Sequence, residues 1–202
     1  AIMFVVLYVT HGVSVRTTTA LLGTLFGLGV TASLATWATS AAHLTGLTDE
    51  DDTTLRSVAG SVSLSGLVLC GIIIAGLGVL NDVTITQSSA VWELHALSPE
   101  LPPRRLFASA MRIGRDHIAS TVYTIAFAYA GAALPVLLLV EVYAQSWRQS
   151  FFFGSLAEEV VRTLVGSVGL VLAVPLTTVV AVVLVSASRV IPQPGRGTVA
   201  AL

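Results

Sequence analysis

Lysine is absent from this chain and cysteine occurs once, at Cys70. A lone thiol excludes a disulfide framework and a cysteine metal site. Inside an apolar run its simplest reading is a small buried hydrophobe. Charge of either sign is scarce: 10% of the 202 residues are charged, where an ordinary soluble domain has about 25%. So few charges could not cover the surface of a soluble fold of this size. The net charge of −1 gives no electrostatic footprint for nucleic acid. A charged segment ahead of the opening "AIMFVVLYV" is also missing, so no signal peptide is read there. The expectation is the cut end of a helix, with more protein upstream.

What is present is apolar. Hydrophobic residues make up 54% of the chain and mean hydropathy is +0.88. Arginine as the sole basic residue besides histidine, with abundant Ala, Val and Gly, is the usage expected of a GC-rich, for instance actinobacterial, genome. Five apolar segments stand out: 1–10, 17–42, 62–92, 117–142 and 160–187. A hydrocarbon core of about 30 Å needs roughly 20 helical residues, and the last four segments reach that length. The alternation of barrel strands is absent. The prediction is an all-α, polytopic transmembrane bundle over 1–188 of about five spans, the first truncated, with a cytoplasmic tail over 189–202.

If the spans alternate, Arg16, Arg104, Arg105, Arg112, Arg115, Arg189 and Arg196 share one side. Arg56, Arg148 and Arg162 share the other with the acidic "TDEDD" run at 48–52. The arginine-rich side is then cytoplasmic by the positive-inside rule, in a bacterial inner membrane. Residues 104–113 have an amphipathic pattern and are expected to lie along the membrane surface. Gly23 and Gly27 form a GxxxG, and Gly71, Ala75 and Gly78 share a helical face, so both sets predict close helix approach. Pro135 and Pro175 predict kinks.

Asp82 lies about two-thirds along the third span. A carboxylate there costs several kcal/mol unless paired, hydrated or protonated. Helical spacing places Gly71, Ala75, Gly78, Asp82, Thr86 and Ser89 on one stripe, flanked by Asn81 and Gln87, which should face another helix. The expected partner opens "RIGRDHIASTVYT", where His117, Thr121, Thr124 and Ala128 share a face and Ser120 lies beside them. Facing one another, these two surfaces make a polar path able to pass protons. The alternative is that the same groups only staple helices together. Arg115 and Asp116 are read as interfacial charges, with lipid phosphate as the arginine's partner. Glu159 and Arg162, three residues apart, are read as a helical ion pair at the opposite mouth. Dispersed histidines give no metal spacing, and no hydrolase or phosphate-loop motif appears. No enzyme, metal or cofactor is expected.

"AGLGVLNDVTITQSSAVWELH", "MRIGRDHIASTVYTIAFAYAGAALPVLLLV" and "EEVVRTLVGSVGLVLAVPLTT" closely resemble the YibE/F-like membrane proteins over residues 11–185. Two departures from the family pattern stand out. Asn81 and Asp82 replace two adjacent acids, which leaves one carboxylate to carry a proton there. Tyr123 replaces an asparagine before a threonine. The resemblance implies further spans and an extracytoplasmic domain upstream. A glycine-rich helix with a central acid, a basic linker and a hydroxyl-bearing helix is also similar in pattern to the SecDF and RND transporter core, which implies an acid–hydroxyl proton relay. The functional expectation is a proton-coupled transport or translocation component, with Asp82, Thr86, Gln87, His117, Ser120, Thr121 and Thr124 as relay. The alternative is a structural or accessory subunit. Expected partners are membrane lipid and other membrane subunits or further copies of the chain.

Overall fold

A computed structural model describes residues 2–44, 63–142 and 154–188. Every element among them is a helix: α1 (Ile2–His11), α2 (Val15–Ala41), α3 (Leu64–Leu97), α4 (Pro103–Ala132), α5 (Leu134–Val142) and α6 (Gly154–Ser188). The acidic run 48–52, Arg56, Arg148, Arg189, Arg196 and the tail 189–202 lie outside the described residues.

Local sequence explains where the helices start. Ser14 caps α2 by accepting from the Thr17 backbone N–H at 3.1 Å, and Ser63 caps α3 by accepting from Gly66 N–H at 3.2 Å. Each cap satisfies one of the otherwise unpaired N–H groups of a first turn. At the start of α4, Pro102 stands in the cap position and Pro103 opens the helix, where the missing N–H costs nothing. Gly12, at φ +73°, makes the tight joint between α1 and α2.

α2, α3 and α6 are each long and apolar enough to cross a membrane. α4 and α5 are bent by 49° at a break next to Pro135 and together make a fourth candidate span. α1 contributes ten described residues, about 15 Å of helix, in line with a truncated first span. The expected helical membrane bundle is therefore present, with α1 as a short helix leaning on α2 through Leu7, Ala20 and Leu21.

The helices alternate in direction. Ser88 near the end of α3 donates to the Arg16 carbonyl at the start of α2 at 2.9 Å, and the Arg16 and Glu93 side chains pair at 3.4 Å. At the same end Val91 of α3, Leu106 and Ala110 of α4 and Val185 of α6 form one core cluster. Arg16, Arg104, Arg105 and Arg112 thus gather at one end of the bundle, while Arg162 stands at the other. Ala35, Ile72 and Val165 make the core near the Arg162 end, and Val83, Leu170 and Val174 the core between.

Residues 104–113 do not form a separate surface helix. They are the first turns of α4, continuous with the segment expected to begin at His117. Leu106 and Ala110 are fully buried against α3 and α6, so the apolar side of the amphipathic pattern faces protein, not headgroups.

The glycines divide in a similar way. A Cβ on Gly27 would sit 2.8 Å from Leu80 and 2.9 Å from Ala173, and one on Gly23 would collide with Thr177. The GxxxG therefore brings α2 close to α3 and α6, as its spacing predicts. The Gly71–Gly78 face does not act in this way. Gly78 has nothing within 4 Å and Gly71 meets only the Arg162 guanidinium, at 3.6 Å. Gly76, off that face, makes the close approach instead, 3.1 Å from Thr31. Cys70, expected to be buried, is exposed on α3.

Candidate functional site

The buried side of α3 carries Ile72, Gly76, Leu80, Val83, Thr84, Gln87, Ser88 and Val91. Asp82 and Thr86 lie on a different side and both are exposed on the surface of the bundle. The expectation that the whole Asp82 stripe faces another helix is thus corrected. A residue 100° away from the packed stripe leaves the core even though it shares the span. The stripe borders α4 at Thr86, and at its other end Gly71 lies near the Arg162 guanidinium of α6.

At the Thr86 edge the predicted facing of α3 and α4 exists. His117 Nε2 lies 3.4 Å from Thr86 Oγ1. The Thr86 hydroxyl donates back to the carbonyls of Asp82 and Val83, at 2.9 and 3.0 Å. Its proton is therefore committed to its own helix, and the tautomer that completes a hydrogen bond with it carries hydrogen on Nε2. Asp82 stands one turn above Thr86 on the same side. Its carboxylate takes part in neither ion pair found among the described residues, which are Arg16–Glu93 and Glu159–Arg162.

The other relay candidates separate. Thr121 is half-buried beside His117 and donates to the His117 carbonyl at 2.8 Å. Thr124 and Ser120 are exposed, with the Thr124 hydroxyl donating to the Ser120 carbonyl at 3.0 Å. Gln87 leaves the path altogether. It is 3% exposed, and its amide nitrogen donates to Thr178 Oγ1 at 2.7 Å and to the Ala110 carbonyl at 3.1 Å. Both amide hydrogens are used, so Gln87 joins α3, α4 and α6 as a fixed clamp. Gly114 leaves the room for it, since a Cβ there would lie 2.8 Å from Gln87 Oε1. Thr24 and Thr84, 2.6 Å apart, join α2 to α3 in the same manner.

The interfacial charges also differ from one another. Arg115 and Asp116 are exposed and form no ion pair with a described residue. Arg162 donates to Glu159 Oε1 at 2.6 Å, as their spacing predicts, and both side chains are only about a quarter exposed, 23% and 24%. The Arg162 guanidinium also lies over the Tyr129 ring of α4, 5.8 Å from its centroid. The pair therefore sits at a junction of α3, α4 and α6. Sequence reasoning passed over Tyr129, although its spacing four residues after buried Ile125 and before buried Ala133 places it on the packed side of α4. Among the described residues no group of three or more His, Cys, Asp or Glu side chains could hold a metal ion.

Residues 1–187 match the model of the family described as YibE/F-like protein. No curated protein and no solved structure matches the chain.

Proposed function

The chain belongs to the YibE/F-like family, and from that premise we propose that it is a component of a membrane transport or translocation unit in which Asp82 binds and releases a proton. The observation that carries this reading is the exposed carboxylate on α3, without an ionic partner among the described residues and one turn from a Thr86–His117 contact at 3.4 Å. An ionised carboxylate at span depth costs roughly 3 kcal/mol or more. Protonation removes most of that cost, and water or a covering subunit reduces it. An imidazole has one nitrogen that donates and one that accepts, so His117 suits the exchange of that proton with the arginine-rich end. Thr121 lies beside His117 on the same helix face.

On this reading the arginine-rich end faces the cytoplasm of a bacterial inner membrane. The exposed face around Asp82 is covered in use by lipid, by another membrane subunit or by a second copy of the chain. A different observation favours the accessory reading: the Gln87 amide and the Thr24–Thr84 hydroxyl pair make hydrogen bonds that join helices. Asp82 separates the two readings, because its carboxylate joins no other described helix through a hydrogen bond or ion pair.

The test is proton flux into vesicles containing the protein, compared for wild type, Asp82→Asn and Asp82→Glu. Asn keeps the shape and cannot titrate; Glu can. Loss of flux in Asp82→Asn with partial retention in Asp82→Glu is expected. Wild-type flux in Asp82→Asn would leave the accessory reading standing.

A further inference from the structure

We infer that Glu159 is a second proton-binding carboxylate, placed at the end of the bundle opposite His117; this rests on the proposed role of Asp82. The ion pair with Arg162 has the sequence spacing of an ordinary surface pair but not its surroundings. Both partners are about three-quarters buried. Arg162 occupies only one carboxylate oxygen, Oε1. The other, Oε2, is buried and has no hydrogen-bond partner among the described residues.

Beside Glu159 lies a cavity of about 280 Å³ between α4, α5 and α6, walled by Tyr129, Ala133, Leu137, Leu156 and Thr163 among others. A carboxylate that is half used and walled by apolar side chains is suited to hold a proton on its free oxygen. The cavity borders Glu159, while Oε2 itself is shielded from it in this conformation. In the step itself a hydronium ion arriving from the adjacent aqueous side gives its proton to Oε2, leaving water and a neutral carboxyl group. Arg162 keeps its charge throughout and holds Oε1 in place.

Among the described residues the ionisable groups around Glu159 are these. α6 supplies Arg162 and Glu158, α4 supplies Tyr129, α5 supplies apolar Leu137, and α3 presents Gly71 to the guanidinium. Arg162 thus fixes one oxygen from its own helix and stacks on α4, which leaves Oε2 as the unbonded oxygen.

Two measurements test this. In proton flux, Glu159→Gln still accepts the Arg162 hydrogen bond but cannot titrate, and it is expected to lower flux at least about tenfold. Glu159→Asp is expected to restore part of it. In the folded wild-type protein a hydrophobic carbodiimide, which adds to protonated carboxyl groups in apolar surroundings, is expected to modify Glu159 faster than exposed Glu93, with a rate that falls as pH rises. Wild-type flux in Glu159→Gln, together with no modification of Glu159, would overturn the inference. Loss of flux in Asp82→Asn alongside that result would leave the Asp82 proposal intact. Normal flux in both variants would remove both.

Discussion

Gly29 and Gly114 separate two costs that a glycine in a helix can carry. Gly29 has nothing within 4 Å of where a Cβ would stand. Gly29→Ala is therefore expected to raise helix stability by roughly 0.5–1 kcal/mol through backbone entropy alone. At Gly114 the same methyl would lie 2.8 Å from both Gln87 Oε1 and Val174 Cγ1. Gly114→Ala is expected to lower stability by about 1–3 kcal/mol, because the amide clamp and α6 must both shift. Unfolding in mixed micelles, read by circular dichroism, measures both signs in one experiment. Thr31 gives a third case at this scale. Its hydroxyl is fully buried with no hydrogen-bond partner among the described residues, so Thr31→Val is expected to leave stability unchanged or raise it. Lower stability in that variant would mean that the hydroxyl has a partner under membrane conditions. Of the predicted contacts, the Glu159–Arg162 pair and the approach of His117 to Thr86 were legible in the sequence from helical spacing, while the exposure of Asp82 was not. Gln87 was not, since its position on α3 differs from that of Thr86 by a single residue. That step of about 100° turns it from the Asp82 side into the core.

Helical periodicity located the long apolar elements well, and the reason is their length: a span of twenty or more apolar residues admits few alternatives in lipid. It placed the start of α4 poorly. The "PPRRLFASAMRIG" stretch has an amphipathic pattern that suits either a headgroup-level helix or the first turns of a packed one. Only tertiary contact decides between them, and Leu106 and Ala110 pack against Val91 and Val185. Leu106→Ala is accordingly expected to cost about 2–5 kcal/mol, as for a core leucine. A helix resting on lipid headgroups would lose much less. The stripe on α3 failed for a related reason. Small residues mark where helices can approach, but not which neighbour is there, and Gly76 took the contact expected of Gly71 and Gly78.

For the whole molecule, the alternation of helix direction was readable from arginine placement, and Arg16, Arg104, Arg105 and Arg112 do share one end. In a Cys70→Ser background, single cysteines at Ser98 and His43 are expected to react with a membrane-impermeant thiol reagent from opposite sides of the bilayer. Labelling of both from one side would contradict the antiparallel arrangement of α2 and α3. The functional account turns on the state of one carboxylate. Infrared difference spectra of the membrane-embedded protein across a pH titration measure it directly, through the C=O stretch of a protonated carboxyl group. The account predicts a band that appears as pH falls and is missing in Asp82→Asn. An unchanged band pattern in Asp82→Asn at every pH would mean that Asp82 does not carry the proton.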